Sequence, residues 1–324
     1  MNARILNTTA AVVTLVASSG VALAADAQLV NLLPADAKVI AGVNVAQAKG
    51  SPFGQYVLSQ IQLDNRGLKD VIAQTGFDPT RDVYEVLAAG NGDPATEKGT
   101  GLVVARGNFN VAGITQAATQ HQAVTEVYKG ISIIEDPNRQ GGTAFLNATL
   151  VAAGDVASVK AAIDRQSAAS SLPAALVSQI NQWSTSTDAW VITTVPPSSL
   201  VLPKGAPKVP GVGVGANPNT NALTNIRRAA GGVQLGTQVT LKAEAVADNP
   251  QDAQQLADGL KLLANLAQMQ ANGDPALTAL LQNLNISAQS NLLNVSASLA
   301  SEQLQKLVTP AKRVSPSMRR AEKH

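Results

Sequence analysis

The chain has 324 residues, and its 24 basic and 22 acidic side chains leave a formal charge of +2 at pH 7. Charged residues make up 14% of the sequence and aromatic residues only 3%, which argues against stacking platforms for sugars or bases. The sequence contains no cysteine, and this excludes disulfides, thiolate catalysis and cysteine-based zinc or iron–sulfur sites.

The first 24 residues have the pattern of a cleavable secretory signal peptide. Arg4 is their only charged side chain, and an apolar stretch covers residues 10–17. Ala22 and Ala24 match the small-residue rule of signal peptidase, which predicts cleavage between Ala24 and Ala25. The apolar stretch is shorter than the roughly 20 residues that a membrane span needs. The mature chain is therefore expected to be soluble, without a transmembrane segment, and exported to the periplasm or cell surface of a bacterium.

Several helices are predicted to begin at a polar residue followed by proline. The polar side chain can accept hydrogen bonds from free backbone N–H groups, and proline needs no donor in the first turn. Such starts occur at Ser51-Pro52, Asp78-Pro79, Asn249-Pro250 and Asp274-Pro275. The clearest of these helices follows Asn249, because apolar residues then recur at three- and four-residue spacing as far as Ala267.

Strands are predicted where apolar and polar residues alternate. The two-residue period is clearest at 239–247 and 293–299, and it is typical of an antiparallel sheet with one buried face. Further strands are predicted at 38–45, 101–106, 123–128, 131–135, 143–153, 189–195 and 232–238. Three segments share the order strand, turn, strand, capped helix, and we interpret them as a repeated ββα unit: 143–165, 233–270 and 286–308.

The predicted fold class is α+β, with antiparallel sheets and helices packed on one face. After the signal peptide at 1–24, the chain is long enough for two domains, predicted at 25–170 and 171–308. The second domain contains a loop at 196–221 with six prolines and four glycines, where no periodic element fits. The basic tail at 309–324 is predicted to be disordered.

The start of the mature sequence resembles a loose group of exported bacterial proteins of unknown function. The likeness is carried by residues 32–37, with the sequence LLPADA, and by the apolar run at 39–45. The later strand and capped-helix blocks are similar too. The resemblance implies a fold of this kind and no activity, so it supplies no functional residues.

No residues are predicted to form a catalytic, cofactor or metal site. The two histidines are His121, expected as a surface residue at a helix end, and His324, the last residue of the tail. The acidic residues Asp78, Asp82 and Glu85 lack the spacing of a calcium loop, and their expected role is to start a helix. The glycines at 211–215 lie between prolines and miss the spacing of a phosphate-binding loop.

Three functions remain open on the sequence alone. The first is a non-enzymatic envelope protein, an interaction or scaffolding module that uses an uncovered sheet face or a cleft between domains. The second is a periplasmic carrier of an apolar or lipid-like ligand, since aliphatic helices over a sheet can enclose a cavity. The third is an exported hydrolase with an unrecognised site. No cofactor and no nucleic-acid partner are expected, and Trp183 and Trp190 are expected to fill a core edge.

Overall fold

The structure, a computed structural model, describes residues 24–64, 66–91, 101–136, 141–168, 171–196, 225–270 and 275–308. Within these ranges the chain forms eleven helices and twelve strands, which confirms the predicted α+β class. The signal peptide before Ala24, nearly all of the loop at 196–221 and the tail at 309–324 lie outside the described residues. In the described part of the chain, no helix has the length and apolar character needed to span a membrane.

The strands are β1 (Val39–Asn44), β2 (Val83–Gly90), β3 (Gly101–Gly107), β4 (Val124–Tyr128), β5 (Ile131–Asp136), β6 (Gly141–Asn147), β7 (Leu150–Asp155), β8 (Ala189–Thr193), β9 (Ile226–Gln234), β10 (Gln238–Ala247), β11 (Asn285–Gln289) and β12 (Leu292–Ala300). The helices are α1 (Ala27–Leu32), α2 (Val45–Gly50), α3 (Pro52–Asp64), α4 (Arg66–Thr75), α5 (Pro79–Asp82), α6 (Val111–Gln120), α7 (Val156–Arg165), α8 (Ala174–Ser186), α9 (Pro250–Gln270), α10 (Pro275–Gln282) and α11 (Ser301–Val308).

All twelve strands belong to one antiparallel sheet in the order β11-β12-β10-β9-β8-β1-β2-β3-β7-β6-β5-β4. The strands of both predicted domains therefore belong to one continuous sheet, because β8 pairs with β1 on one side and with β9 on the other. Each of the three segments interpreted as ββα has two paired strands followed by a helix. That these segments are copies of one unit stays a prediction.

The capped helix starts are confirmed where the structure describes them. Ser51 Oγ accepts the Gly54 N–H at 2.9 Å before α3, and Asn249 Oδ1 accepts the Asp252 N–H at 2.9 Å before α9. Asp78 caps the short α5 in the same way. These contacts span two or three residues, so the local sequence is enough to specify them.

Two hydrophobic cores lie on opposite faces of the sheet. We call the first face the one covered by α1, α7 and α8, whose apolar side chains pack on residues such as Ile40 and Ile192. The second face carries the core under α9, which includes Ala245 and Leu293. Successive residues of a strand point to opposite faces. Within each core the helices pack on one face of the sheet, as predicted. The two cores, however, use opposite faces of the same sheet.

The change from one core to the other occurs inside β9. Ala230 belongs to the first core, whereas its neighbour Ala229 packs against the second. Residues beyond the predicted boundary at 170, from Leu172 to Ile192, still contribute to the first core. The change between the two cores thus lies about sixty residues after the predicted boundary, since it follows the side-chain alternation of a central strand. The division into two domains stays a prediction.

A close approach between strands requires a glycine at position 42. A Cβ atom there would lie 2.5 Å from the Trp190 ring and 2.7 Å from Leu87 Cδ2. Both tryptophans are buried, and this confirms their predicted place in the core. The indole of Trp190 thus occupies the volume that a side chain at Gly42 would need, and β1 can pair with β8 without displacing it.

Candidate functional site

An apolar trough of about 560 Å³ opens on the second face, over β8, β9, β10 and β12. Small-molecule sites in proteins have volumes of roughly 300–1,000 Å³, so the trough has the size of a ligand site. We call it the apolar trough and define it by its lining residues: Ala189, Trp190, Val191, Gly231, Gly232, Val233, Leu241, Lys242, Ala243, Leu280, Leu281, Leu284, Val295, Ser296 and Ala297.

The floor of the apolar trough is built by strand register. Val191, Gly231, Ala243 and Val295 lie side by side on four neighbouring strands, and a parallel row runs from Ala189 to Ala297. Glycine and alanine in these rows leave the backbone uncovered at the centre. The result is a depression whose long direction crosses the strands.

The wall of the apolar trough comes from α10 and the residue pair that follows it. Leu280, Leu281 and Leu284 are spaced so that they share one side of a helical turn. All three are half-buried, and so they still expose apolar surface to the depression. α10 also contacts β12, α9 and α11, which hold it over the sheet.

Two polar residues line the apolar trough because of their positions on the strands, but their polar side-chain groups do not face it. Lys242 pairs with Gly232 on one side and with Ser296 on the other, at positions that alternate with the floor residues. Their side chains therefore point to the first face. No ionisable side chain of the lining is directed into the apolar trough. A polar ligand group buried there would lose its hydrogen bonds to water without replacement, whereas an apolar group would not.

A smaller cavity of about 280 Å³ lies between α9 and the segment from Leu281 to Ile286. It shares Leu281 and Leu284 with the apolar trough, but its remaining lining is mostly polar. We call it the polar cavity; its polar lining residues are Lys261, Asn265, Gln268 and Asn285. An apolar and a polar compartment thus meet at the same two leucines.

Asp188 is a buried carboxyl immediately before β8. Its residue is 1% exposed, and its carboxylate accepts the Leu235 N–H while its Oδ1 atom has no hydrogen-bond partner among the described residues. Burial raises the pKa of Asp188, and the hydrogen bond from Leu235 opposes this rise. The residue is held by backbone bonds to Val233 and Asn44, so its role is to join three strands.

The Asp188→Asn variant is expected to gain stability relative to the wild type as pH rises. The folded pKa of Asp188 lies above its unfolded value of about 3.9, so the wild type loses stability as pH rises through the folded pKa. Asparagine does not titrate and can still accept the Leu235 N–H. Urea unfolding at several values between about pH 3 and pH 7 measures the difference. The exposed Asp70 provides a control substitution, and parallel stability curves for Asp188→Asn and wild type would contradict the prediction.

The residues considered as catalytic or metal candidates have separate local roles. His121 ends α6, where its Nε2 lies 2.9 Å from Gln74 Oε1. Asp78 caps α5, and the Arg81 guanidinium, 2.6 Å from Asp82, lowers the pKa of that carboxyl. Within the described ranges, no group of three or more His, Cys, Asp or Glu side chains could hold a metal ion.

The apolar trough itself was not predicted from the sequence. Its floor residues come from four strands, and only their register brings Gly231 beside Val191 and Ala243. One signal was available, since small residues occupy the apolar positions of β10. That signal does not show which strand lies alongside, and so it could not reveal a cavity.

No protein-family model matches the chain, and a search of curated proteins finds no match either. Solved structures of TP0453 have a similar fold. Crystal form IV has a TM-score of 0.53 at 9% identity and covers 88% of this chain and 97% of that chain. Form III has a TM-score of 0.51 at 9% identity, covering 86% and 96%. Form I has a TM-score of 0.51 at 8% identity, covering 88% and 97%. At this identity the likeness concerns the fold alone.

Proposed function

We propose that the protein is an exported, non-enzymatic binding protein for a lipid-like molecule with one slender apolar chain. The observation that carries the proposal is the apolar trough, a concave site of suitable volume whose floor and wall present aliphatic side chains and bare backbone. Export rests on the predicted signal peptide and on the resemblance of residues 32–45 to exported bacterial proteins. A carrier of this kind needs no catalytic group.

The shape of the floor favours a slender chain over a bulky ring system. Gly231, Ala189 and Ala243 leave a depression at the centre, while Val191 and Leu241 rise on either side and remain about 40% exposed. Those two exposed side chains would lose contact with water when a ligand fills the depression. Burying apolar surface stabilises a complex by about 25 cal/mol per Å² before the cost of association is subtracted.

The polar cavity supports a ligand with a polar end. Its lining includes the amide side chains of Asn265 and Gln268 and the ammonium of Lys261. These groups can donate hydrogen bonds to a carboxylate or phosphate. Because the polar cavity and the apolar trough meet at Leu281 and Leu284, an acyl chain and its acidic head could occupy the two compartments together.

Titration with cis-parinaric acid, a fluorescent unbranched fatty acid, tests this proposal. We expect saturable binding at one site per chain, with displacement by palmitate and weaker displacement by the uncharged methyl ester. The mature protein purified from its native envelope should also release a lipid-like molecule on solvent extraction, detected by mass spectrometry. Non-saturating fluorescence together with an empty extract would contradict the proposal.

An interaction module is the second candidate, and one specific observation favours it. The second half of α9 exposes apolar side chains on the side that faces away from its core, including Leu262 at 60% and Met269 at 70% exposure. Exposed apolar clusters of this kind often mark contacts with other proteins. A consistent envelope protein recovered with the wild type, and lost with Leu262→Gln, would favour the module over the carrier.

A further inference from the structure

The backbone nitrogen of Ala25 is held inside the protein, one residue after the predicted cleavage position. Its N–H donates to Ser184 Oγ at 2.9 Å, and Ala25 is only 7% exposed. The preceding Ala24 is exposed. Ser184 belongs to α8 and is 159 positions away along the chain, so this contact fastens the start of the described chain to the first core.

A carboxylate lies next to this nitrogen. Glu85 of β2 accepts the N–H of Asp26 with both of its oxygens, at 3.2 and 3.3 Å. Successive backbone nitrogens are separated by less than about 4 Å, and so the Glu85 carboxylate lies within roughly 7 Å of the Ala25 nitrogen. Charges at such a separation interact strongly when they are partly removed from water.

The other charged groups at this place are already paired with one another. Arg106 of β3 places its Nε 2.6 Å from Asp26 Oδ2, and its second amino group donates to Gln28. Asp26 also caps α1 through its other carboxylate oxygen. Glu85 is half-buried, and burial raises its pKa, although the Asp26 N–H and Arg106 oppose the rise. The Asp26 N–H and Arg106 thus compensate its negative charge only in part.

We propose that cleavage between Ala24 and Ala25 creates an α-ammonium group that stays on Ser184 Oγ and forms an ion pair with Glu85. Hydrolysis consumes one water molecule, leaving a carboxylate on Ala24 and an amine on Ala25 that is protonated at neutral pH. Removal of the signal peptide would then supply the positive charge that pairs with Glu85 in the folded protein. The inference rests on the proposed export, because it needs this cleavage position.

The Ala25 nitrogen changes from an amide to an ammonium group on cleavage, and its neighbours can accept the additional hydrogen bonds. The amide nitrogen has one hydrogen, which Ser184 Oγ already accepts, whereas the ammonium has three. Ser184 can keep its own donation to the Asn181 carbonyl, at 3.2 Å, while it accepts from the new group. Departure of the exposed Ala24 opens one side of the nitrogen to water, which can accept a remaining hydrogen.

Two chains that differ by one residue test whether the Ala25 ammonium group binds Ser184 and Glu85, which we call the docking. One begins at Ala25 and the other at Ala24, both extending to His324 and both released from a fusion without added residues. We expect the chain beginning at Ala25 to have a Tm higher by roughly 1–2 °C at pH 6.5, the shift that a modest ion pair produces in a protein of this size. In the Glu85→Gln background, which keeps an acceptor for the Asp26 N–H, this difference should disappear.

The pH dependence gives an independent readout. A free α-amino group has a pKa of about 7.7–8.0, and an ion pair with Glu85 raises the folded value above it. The added stability is therefore complete below that range and is lost as pH rises through the folded pKa. We expect the Tm difference between the two chains to vanish at about pH 10. Among the described residues, the charged groups that these contacts place around the nitrogen are Glu85 on β2, Asp26 at the N-cap of α1 and Arg106 on β3.

Equal Tm values for the two chains at pH 6.5 would overturn the docking, as would a difference that survives Glu85→Gln. Export is tested separately by the intact mass of the protein recovered from its native envelope. A mass that corresponds to a first residue other than Ala25 would overturn the cleavage position and, with it, the biological role of the docking. The comparison of the two purified chains would still measure the ion pair itself.

Discussion

The Gly231→Leu variant is expected to lose at least about tenfold in affinity for cis-parinaric acid, equivalent to about 1.4 kcal/mol. Gly231 lies at the centre of the floor, and a Cβ atom there would meet only ordinary contacts, the nearest being the Lys242 carbonyl oxygen at 3.4 Å. The strand can therefore accept the substitution, but the isobutyl group would extend into the apolar trough and occupy the volume of the ligand.

The control for this variant is Gly101→Leu, on β3. A Cβ atom at Gly101 meets nothing within 4 Å, and this glycine does not line the apolar trough. Both variants should show the circular dichroism and Tm of a folded protein, so that affinity alone distinguishes them. Unchanged affinity in a folded Gly231→Leu protein would place the ligand elsewhere and remove the main support for the carrier.

Truncation of Trp183 to alanine is expected to destabilise the protein by about 3–5 kcal/mol, while phenylalanine at this position costs far less. Trp183 is 3% exposed and packs in the first core, so alanine leaves a cavity there. Its indole N–H has no hydrogen-bond partner among the described residues. Phenylalanine keeps most of the ring and removes this unsatisfied donor, whose burial costs about 1–3 kcal/mol.

Urea unfolding of the wild type and both Trp183 variants measures these differences. Trp190 remains as the fluorescent reporter in each variant, and the exposed neighbour Gln182 provides a surface substitution for comparison. Equal losses for the alanine and phenylalanine variants would contradict the prediction, because the phenyl ring would then recover none of the stability that the alanine variant loses.

Much of the local structure could be predicted because it depends on residues close together in the chain. The caps at Ser51 and Asn249 involve a side chain and a backbone N–H only three residues apart. The alternation at 239–247 became β10, and the apolar residues from Ala253 to Leu260 became the buried side of the first half of α9. Each of these features has its physical cause within a single element.

β2 was missed, and its environment explains why. Val83–Gly90 has no strict alternation, because Tyr84 and Glu85 follow Val83 and a pair of alanines precedes Gly90. β2 lies in the interior of the sheet between β1 and β3, so its partners satisfy its backbone on both sides. This segment therefore forms a strand because of its pairing with neighbouring strands, although its own sequence pattern does not favour a strand.

The sequence by itself determined the absence of thiol chemistry, the α+β class and the positions where the capped helices begin, since composition and short-range hydrogen bonding decide these. Only the tertiary structure decided that two cores occupy opposite faces of one sheet, that Gly231 lies beside Val191, and that Ala25 meets Ser184 across 159 positions. Strand order and register are set by the packing of distant side chains, and no single segment contains that information.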